Sequence, residues 1–387
     1  MVIAGAGLAG LRTLEELRSR GYMGAVTLLG AEARPPYDRP PLSKGVLAGE
    51  VDDTTLRDDL SALGADVRLG EAATGLTDGV VRTGRAEYAY DRLVLATGAA
   101  PLPLPGPGPQ RMLRTLDDAL SLRAAFRPGL RLAIVGAGWI GAEVATVAAA
   151  RGCLVTVVEA GPAPLASAVG PAAGSRTSGW YAAAGVDLRL GELVSSVQPG
   201  GLVLASGDWL AADEIVTAIG VRPELSWLEG SGVAVEGGVK TDEQLRASAP
   251  GIFAAGDCAA FWSPRFGRRL RFEHWDIALR APEVLAANLL GGSEAYDPVP
   301  YFWSEQFGRM VQYAGYHGDA DQLIWRGDPA AERFAACWLA AGRLVALLTV
   351  GRPRDLQQGR RLIGAGRQVD PALIADPAAA LRDAVVS

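Results

Sequence analysis

The chain has 387 residues, of which 49% are hydrophobic and 21% charged, with a net charge of −6 and three cysteines. The length exceeds what one core serves and calls for two or three domains, and the negative charge argues against general nucleic-acid affinity. Cys153, Cys258 and Cys337 lie far apart with neither C-x-x-C nor metal-ligand spacing, so we expect no metal site and a reducing compartment.

The first predicted element is a short buried strand over residues 2–4. Gly5, Gly7 and Gly10 follow in G-x-G-x-x-G spacing, and Leu8, Leu11, Leu14 and Leu17 then form an apolar stripe at helical period. Strand, glycine turn and helix start aim unpaired backbone N–H groups and the positive end of the helix dipole at one point, which is the chemistry of a pyrophosphate site. A second strand over residues 25–29 leads to Glu32, the acid expected about 20 residues on to hold a ribose. The N-terminus has no basic segment, so its apolarity belongs to this turn and not to a signal peptide. No apolar run reaches the ~18 residues of a membrane span, and a cytoplasmic location is expected.

Residues 34–44 hold four prolines in eleven positions, which predicts a rigid irregular loop without helix or strand. Strands are predicted over 67–69, 80–83 and 93–96, the last ending in Thr97-Gly98. The alternating prolines of residues 101–109 read as an extended linker between domains. Beyond it the opening pattern repeats: a strand over 132–135, Gly136, Gly138 and Gly141, a helix over 140–150, a strand over 154–158, and the acid Glu159. Two such units predict two dinucleotides. Glu159 accepts ribose hydroxyls and repels a 2′-phosphate, and no arginine follows it directly, so the second ligand is expected to be NAD(H).

A strand over 215–219 closes on Gly220. Residues 251–257 then read as a buried strand ending in Gly256-Asp257, with the carboxylate suited to a polyol hydroxyl. Glu273-His274-Trp275-Asp276 precedes a helix over about 277–290. From residue 301 the pattern becomes antiparallel, with strands over 311–316, 322–326, 334–339 and 344–350, followed by a helical, arginine-rich tail. The whole predicts an α/β protein with two Rossmann-like dinucleotide-binding domains and a small α+β C-terminal domain. The boundaries expected are 1–103 with 238–300, then 104–237, then 301–387.

Tyr37-Asp38-Arg39-Pro40-Pro41-Leu42-Ser43-Lys44 and Phe302-Trp303-Ser304-Glu305-Gln306, added to both glycine turns, Thr97-Gly98 and residues 251–257, give a specific resemblance. The chain resembles the FAD-dependent NADH:ferredoxin reductases of the putidaredoxin reductase and biphenyl dioxygenase reductase type, in the glutathione-reductase-like superfamily. The resemblance implies FAD on the first unit, with Gly5, Gly7, Ala9, Gly10, Glu32, Arg39, Lys44, Ala96, Thr97, Gly98, Arg114, Gly256, Asp257 and Trp275 as contacts. It implies NADH on Gly136, Gly138, Ile140, Gly141, Glu159 and Gly220. It also implies an ion pair of Lys44 with Glu143 beside flavin N5, and Trp303 near the ring. The implied reaction is hydride transfer from NADH to the flavin, followed by single-electron delivery to a two-iron two-sulfur ferredoxin that serves a cytochrome P450 or Rieske-type oxygenase.

The chain departs from many relatives in carrying Ala31 before Glu32, and in reading His274-Trp275-Asp276-Ile277-Ala278 where they have an asparagine. Two rival readings are an NADH-responsive sensor of the apoptosis-inducing-factor type and an NADH:rubredoxin reductase. A disulfide reductase is disfavoured, because no cysteine precedes Cys153. Arg265, Arg268, Arg269 and Arg271 are expected to form a basic docking patch for the ferredoxin, with a second basic run at Arg352, Arg354, Arg360 and Arg361.

Overall fold

The structure, a computed structural model, describes residues 1–386, and the chain forms two compact units. The first comprises Met1–Asp38, Thr54–Ala100 and Val221–Pro300. Its centre is a parallel sheet in the order Ile252–Ala254, Leu93–Leu95, Val2–Ala4, Thr27–Gly30, Asp66–Leu69. Strands Ile252–Ala254, Leu93–Leu95 and Val2–Ala4 are wholly apolar and buried, as strands covered on both faces must be. Helix Leu8–Ser19 buries Leu11, Leu14 and Leu17 as the stripe predicts, while Leu8 is only half-buried. It packs against helix Trp275–Leu289, which begins two residues earlier than expected and runs through Pro282. Two three-stranded sheets accompany it: an antiparallel one of Ala73–Thr77, Val80–Thr83 and Glu87–Ala89, and a mixed one in which Ala259–Ser263 pairs parallel with Val239–Thr241 and antiparallel with Arg268–Leu270.

The second unit comprises Arg39–Asp53, Pro101–Gly220 and the chain from Tyr301 on. Residues 39–53 group here because the Leu47 side chain is fully buried with Leu122, Ile134 and Ala148. A parallel sheet, in the order Asp187–Leu190, Leu154–Glu159, Arg131–Val135, Glu214–Thr217, repeats the plan of the first unit. The C-terminal part is an antiparallel sheet in the order Tyr301–Gln306, Arg309–Gly315, Arg343–Val350, Phe334–Ala340, Gln322–Arg326, covered by helix Pro353–Ala365. Arg326 is 1% exposed there. Its guanidinium meets Asp355 and donates to the carbonyls of Leu373, Ile374, Asp376 and Ala379.

One expectation needs correction. Residues 34–44 are not free of helix: Pro40–Ser43 forms a 3-10 turn, and a helical turn, Gly45–Ala48, follows the segment. Pro40 and Pro41 occupy the first-turn positions, where no N–H is needed, so prolines there forbid a long helix but not a single turn. The proline-rich stretch 101–109, expected as an extended linker, is also fastened to the fold. Pro105 O accepts from Val197 N at 2.8 Å, and Gly108 N donates to Val197 O at 3.0 Å. A Cβ on Gly106 would stand 2.1 Å from Val197 O, so glycine is what lets this stretch lie against strand Val194–Gln198.

Candidate functional site

In each of the two glycine turns the three glycines answer to different causes. Gly5 has φ 118°, and a Cβ there would lie 2.1 Å from Ala96 O; one on Gly10 would lie 1.8 Å from Gly5 O. Those two are required by packing alone. Gly7 is different: its φ of −82° suits any residue, and a Cβ would meet nothing within 4 Å. The second turn behaves identically. Gly136 (φ 101°) faces Ala218 O at 2.4 Å, Gly141 faces Gly136 O at 2.0 Å, and Gly138 (φ −74°) opens onto empty space. Neither following helix has a side-chain cap or an acid in its first turn. Each unit thus presents uncapped helical N–H groups beside a cradle that a Cβ would fill, which fits the pyrophosphate of a dinucleotide.

Around the first turn the structure brings Ala9 against Gly256, where a Cβ on Gly256 (φ 74°) would come within 3.1 Å of the Ala9 methyl. Ala96 closes on Gly5, Thr97 Oγ1 donates to Glu224 O at 2.9 Å, and Gly98 turns with φ 73°. Asp257 sits in the turn Gly256–Cys258. Glu32, half-buried, accepts from Tyr37 Oη at 2.6 Å, while Ala31 is exposed. Trp275, the first residue of its helix, donates from Nε1 to Asp38 Oδ1 at 2.6 Å. Asp38 therefore fixes the indole, a role its place in the motif did not signal.

In the second unit the Glu159 carboxylate is held by two chain N–H groups: Ala137 N to Oε2 and Gly161 N to Oε1, both at 2.7 Å. Each oxygen keeps a further lone pair for a ribose hydroxyl. Ile140 is 40% exposed at the helix start, and Gly220 turns with φ 106°. The Arg39 guanidinium donates to Arg114 O. Lys44 Nζ stands 2.9 Å from Glu143 Oε2 and 3.2 Å from Pro40 O. Two of its three N–H groups are thereby used, and no described residue accepts the third. Glu143, 2% exposed, also accepts from Ser43 Oγ on Oε2 and from Ser304 Oγ on Oε1, the latter at 2.6 Å. Gln306 Nε2 donates to Ser304 Oγ at 3.0 Å. Trp303 stacks on Tyr301 at 6.0 Å, and the Arg360 guanidinium lies 4.7 Å over the Tyr301 ring.

The pyridine nucleotide-disulphide oxidoreductase model matches residues 1–281, and a reductase C-terminal model matches 301–385. The chain belongs to the pyridine nucleotide-disulphide oxidoreductase family. It is 35% identical, over 98% of both chains, to the ferredoxin–NAD(+) reductase component of the anthranilate 1,2-dioxygenase system of Burkholderia cepacia. Among solved structures, that of Fdr9 has a TM-score of 0.95 at 51% identity, covering 98% of each chain. The covalent putidaredoxin reductase–putidaredoxin complex has a TM-score of 0.94 at 31% identity, covering 99% of this chain and 97% of that one.

Disulfide chemistry, which the family's name includes, has no support in this oxidoreductase. Cys153, Cys258 and Cys337 are each buried and unpaired by any disulfide. Burial pushes the Cys258 thiol up to about 11 and the Cys337 thiol up to about 12, so neither is a thiolate at neutral pH. The arginines of the expected docking patch also have partners within the fold. Arg269 donates to the Thr241 and Ala260 carbonyls, Arg265 is tied to Asp297, and Arg271 pairs with Glu273. These bonds use some of the N–H donors of Arg265, Arg269 and Arg271 and leave their positive charge in place. No described helix is long and apolar enough to cross a membrane.

Proposed function

We propose that this oxidoreductase carries electrons from NADH through FAD to a two-iron two-sulfur ferredoxin that serves a cytochrome P450 or Rieske-type oxygenase, and that it does so in the cytoplasm. The observation that carries the reading is the pair of open middle glycines, Gly7 and Gly138, which nothing in the protein itself requires. Bound FAD supplies the conversion of a two-electron donor into single-electron delivery.

The residues divide the remaining work. Gly5, Gly7, Ala9, Gly10, Ala96, Thr97, Gly98, Gly256, Asp257 and Trp275 hold FAD with Glu32 at its ribose, and Arg39, Arg114 and Lys44 complete its contacts. Gly136, Gly138, Ile140, Gly141 and Gly220 hold NADH, with Glu159 on the adenosine ribose. Lys44 offers its third N–H, as a fixed positive charge, to the electron-rich ring, and Glu143 keeps that ammonium in place. The relatives' names support the ferredoxin as acceptor, and the buried thiols remove the main competing chemistry.

The test is direct. Purified protein should be yellow, release FAD on denaturation, bleach with NADH, and turn over a two-iron two-sulfur ferredoxin. Protein that neither contains flavin nor takes it up refutes the reading at its base, and turnover with rubredoxin but not ferredoxin refutes the acceptor.

A further inference from the structure

Phe302, Ser304 and Gln306 alternate along strand Tyr301–Gln306 and so share one of its faces. Trp139, Glu143 and Thr146 recur at i, i+4 and i+7 along helix Trp139–Ala150 and share one of its stripes. The two rows meet rung by rung. Trp139 packs on Phe302 at 4.8 Å between ring centroids, and Ser304 donates to Glu143. Phe307 N, in the hairpin turn, donates to Thr146 Oγ1 at 3.0 Å. The middle rung is wholly polar and buried: Ser304 and Gln306 are 0% exposed, and Glu143 is 2% exposed.

Ionised Glu143 can only accept, so the direction of this chain of bonds is fixed as Gln306 to Ser304 to Glu143. Its Oε2 is shared by Lys44 and Ser43, whereas Ser304 is, among the described residues, the one donor to Oε1. Removing that donor leaves a buried carboxylate oxygen without a partner. The carboxylate then relieves the loss by rotating, and the Lys44 ammonium follows it.

We propose that Ser304, backed by Gln306, is a positioning residue: through Glu143 it sets where the Lys44 ammonium stands. The C-terminal part of the chain thereby tunes the charge that the proposed function places against the flavin ring. The inference rests on that reading for its redox consequence, but its structural half needs no flavin.

The composition offers an unusually clean assay. Lys44 and Lys240 are the only lysines, so selectively labelled lysine gives two side-chain NMR signals. Lys240, paired with Glu236 at 2.8 Å, is the internal reference. In Ser304→Ala the Lys44 signal should move and the Lys240 signal should not, with and without bound flavin. Ser304→Thr, which keeps the hydroxyl, should restore the original position. In flavin-loaded Ser304→Ala the flavin midpoint potential should shift, and reduction by NADH should slow about tenfold or more, the worth of one hydrogen bond to a charged group. In a Glu143→Gln background the same change should add nothing to the shift in potential.

Thr146→Val is the control for mere destabilisation. It removes the neighbouring rung, and should lower Tm while leaving the Lys44 signal and the potential alone. An unmoved Lys44 signal in Ser304→Ala, an equal movement in Thr146→Val, or additivity with Glu143→Gln would each overturn the proposal. Absence of flavin binding would refute the proposed function and still leave the Lys44 signal to decide this one.

Discussion

Replacing Lys44 by methionine should destabilise the protein through the carboxylate it leaves behind. At 2.9 Å, two unit charges in an effective dielectric of 20 attract by roughly 6 kcal/mol before desolvation is subtracted. Breaking a buried pair from one side typically costs about 3–5 kcal/mol, because the surviving charge is uncompensated. Glu143 retains Ser43 and Ser304 as donors, which places Lys44→Met near the lower end, at about 3 kcal/mol. On the usual per-residue entropy of unfolding, for a chain of 387 residues, that is a fall in Tm of roughly 4 °C. Removing both charges should recover most of it: Lys44→Met with Glu143→Gln keeps an oxygen to accept from Ser304 and turns an amide N–H towards Ser43, whose hydroxyl then accepts, and should lie within about 1 kcal/mol of the parent. Urea unfolding of flavin-free protein measures both variants and the parent without interference from ligand linkage. If the double variant is as unstable as Lys44→Met alone, the stranded carboxylate is not the cause and the argument fails.

Four further outcomes can be checked. Glu159→Gln should reduce the preference for NADH over NADPH by about 1–3 kcal/mol, ten- to hundredfold in kcat/KM; an unchanged ratio would remove Glu159 from the ribose site. At pH 8 the native protein should resist iodoacetamide at all three cysteines, because burial raises each thiol, and mass spectrometry would detect any adduct. Burial lowers His274 from the ordinary 6.5 to about 4, so its contribution to stability is complete above about pH 6.5 and is lost as pH falls towards 4. That loss amounts to about 1–3 kcal/mol for a residue only half-buried, and denaturation curves of His274→Phe should lack it. Charge reversal of Arg268 and Arg269 is a poor probe of docking, since Arg269 holds carbonyls of its own fold. Arg354 and Arg361 are exposed on a helix whose sole acid, Asp355, is engaged by Arg326 and Arg352. Reversing that pair should raise the KM for ferredoxin and weaken the salt dependence of turnover, with the KM for NADH unchanged.

The parts legible in sequence were those whose cause is local. A glycine turn, its strand, its helix and its acid lie within one stretch of about thirty residues, so their spacing is readable even though Gly5 and Gly136 are also demanded by the remote carbonyls of Ala96 and Ala218. The unread parts depend on contacts remote in sequence. Ser304 reaches Glu143 across 161 positions, and nothing in its surroundings says which face of the strand it shares. The clamp on residues 105–108 was hidden in the same way, because its partner is Val197. The small antiparallel sheet of Ala73–Thr77, Val80–Thr83 and Glu87–Ala89 was caught in one strand of three. The other two are short and partly polar, with a burial pattern too weak to separate them from turns.

The Arg326 cluster bears on how the chain is made. Strand Gln322–Arg326 carries a charge into the interior, yet the carbonyls that receive it lie 47 to 53 residues further on. During synthesis from the N-terminus, that strand emerges well before its guanidinium can be satisfied. The C-terminal sheet must therefore wait in an open state until residue 379 has left the ribosome. A truncation before residue 373 forfeits all four receiving carbonyls and should send the product to proteolysis instead of yielding a shortened reductase.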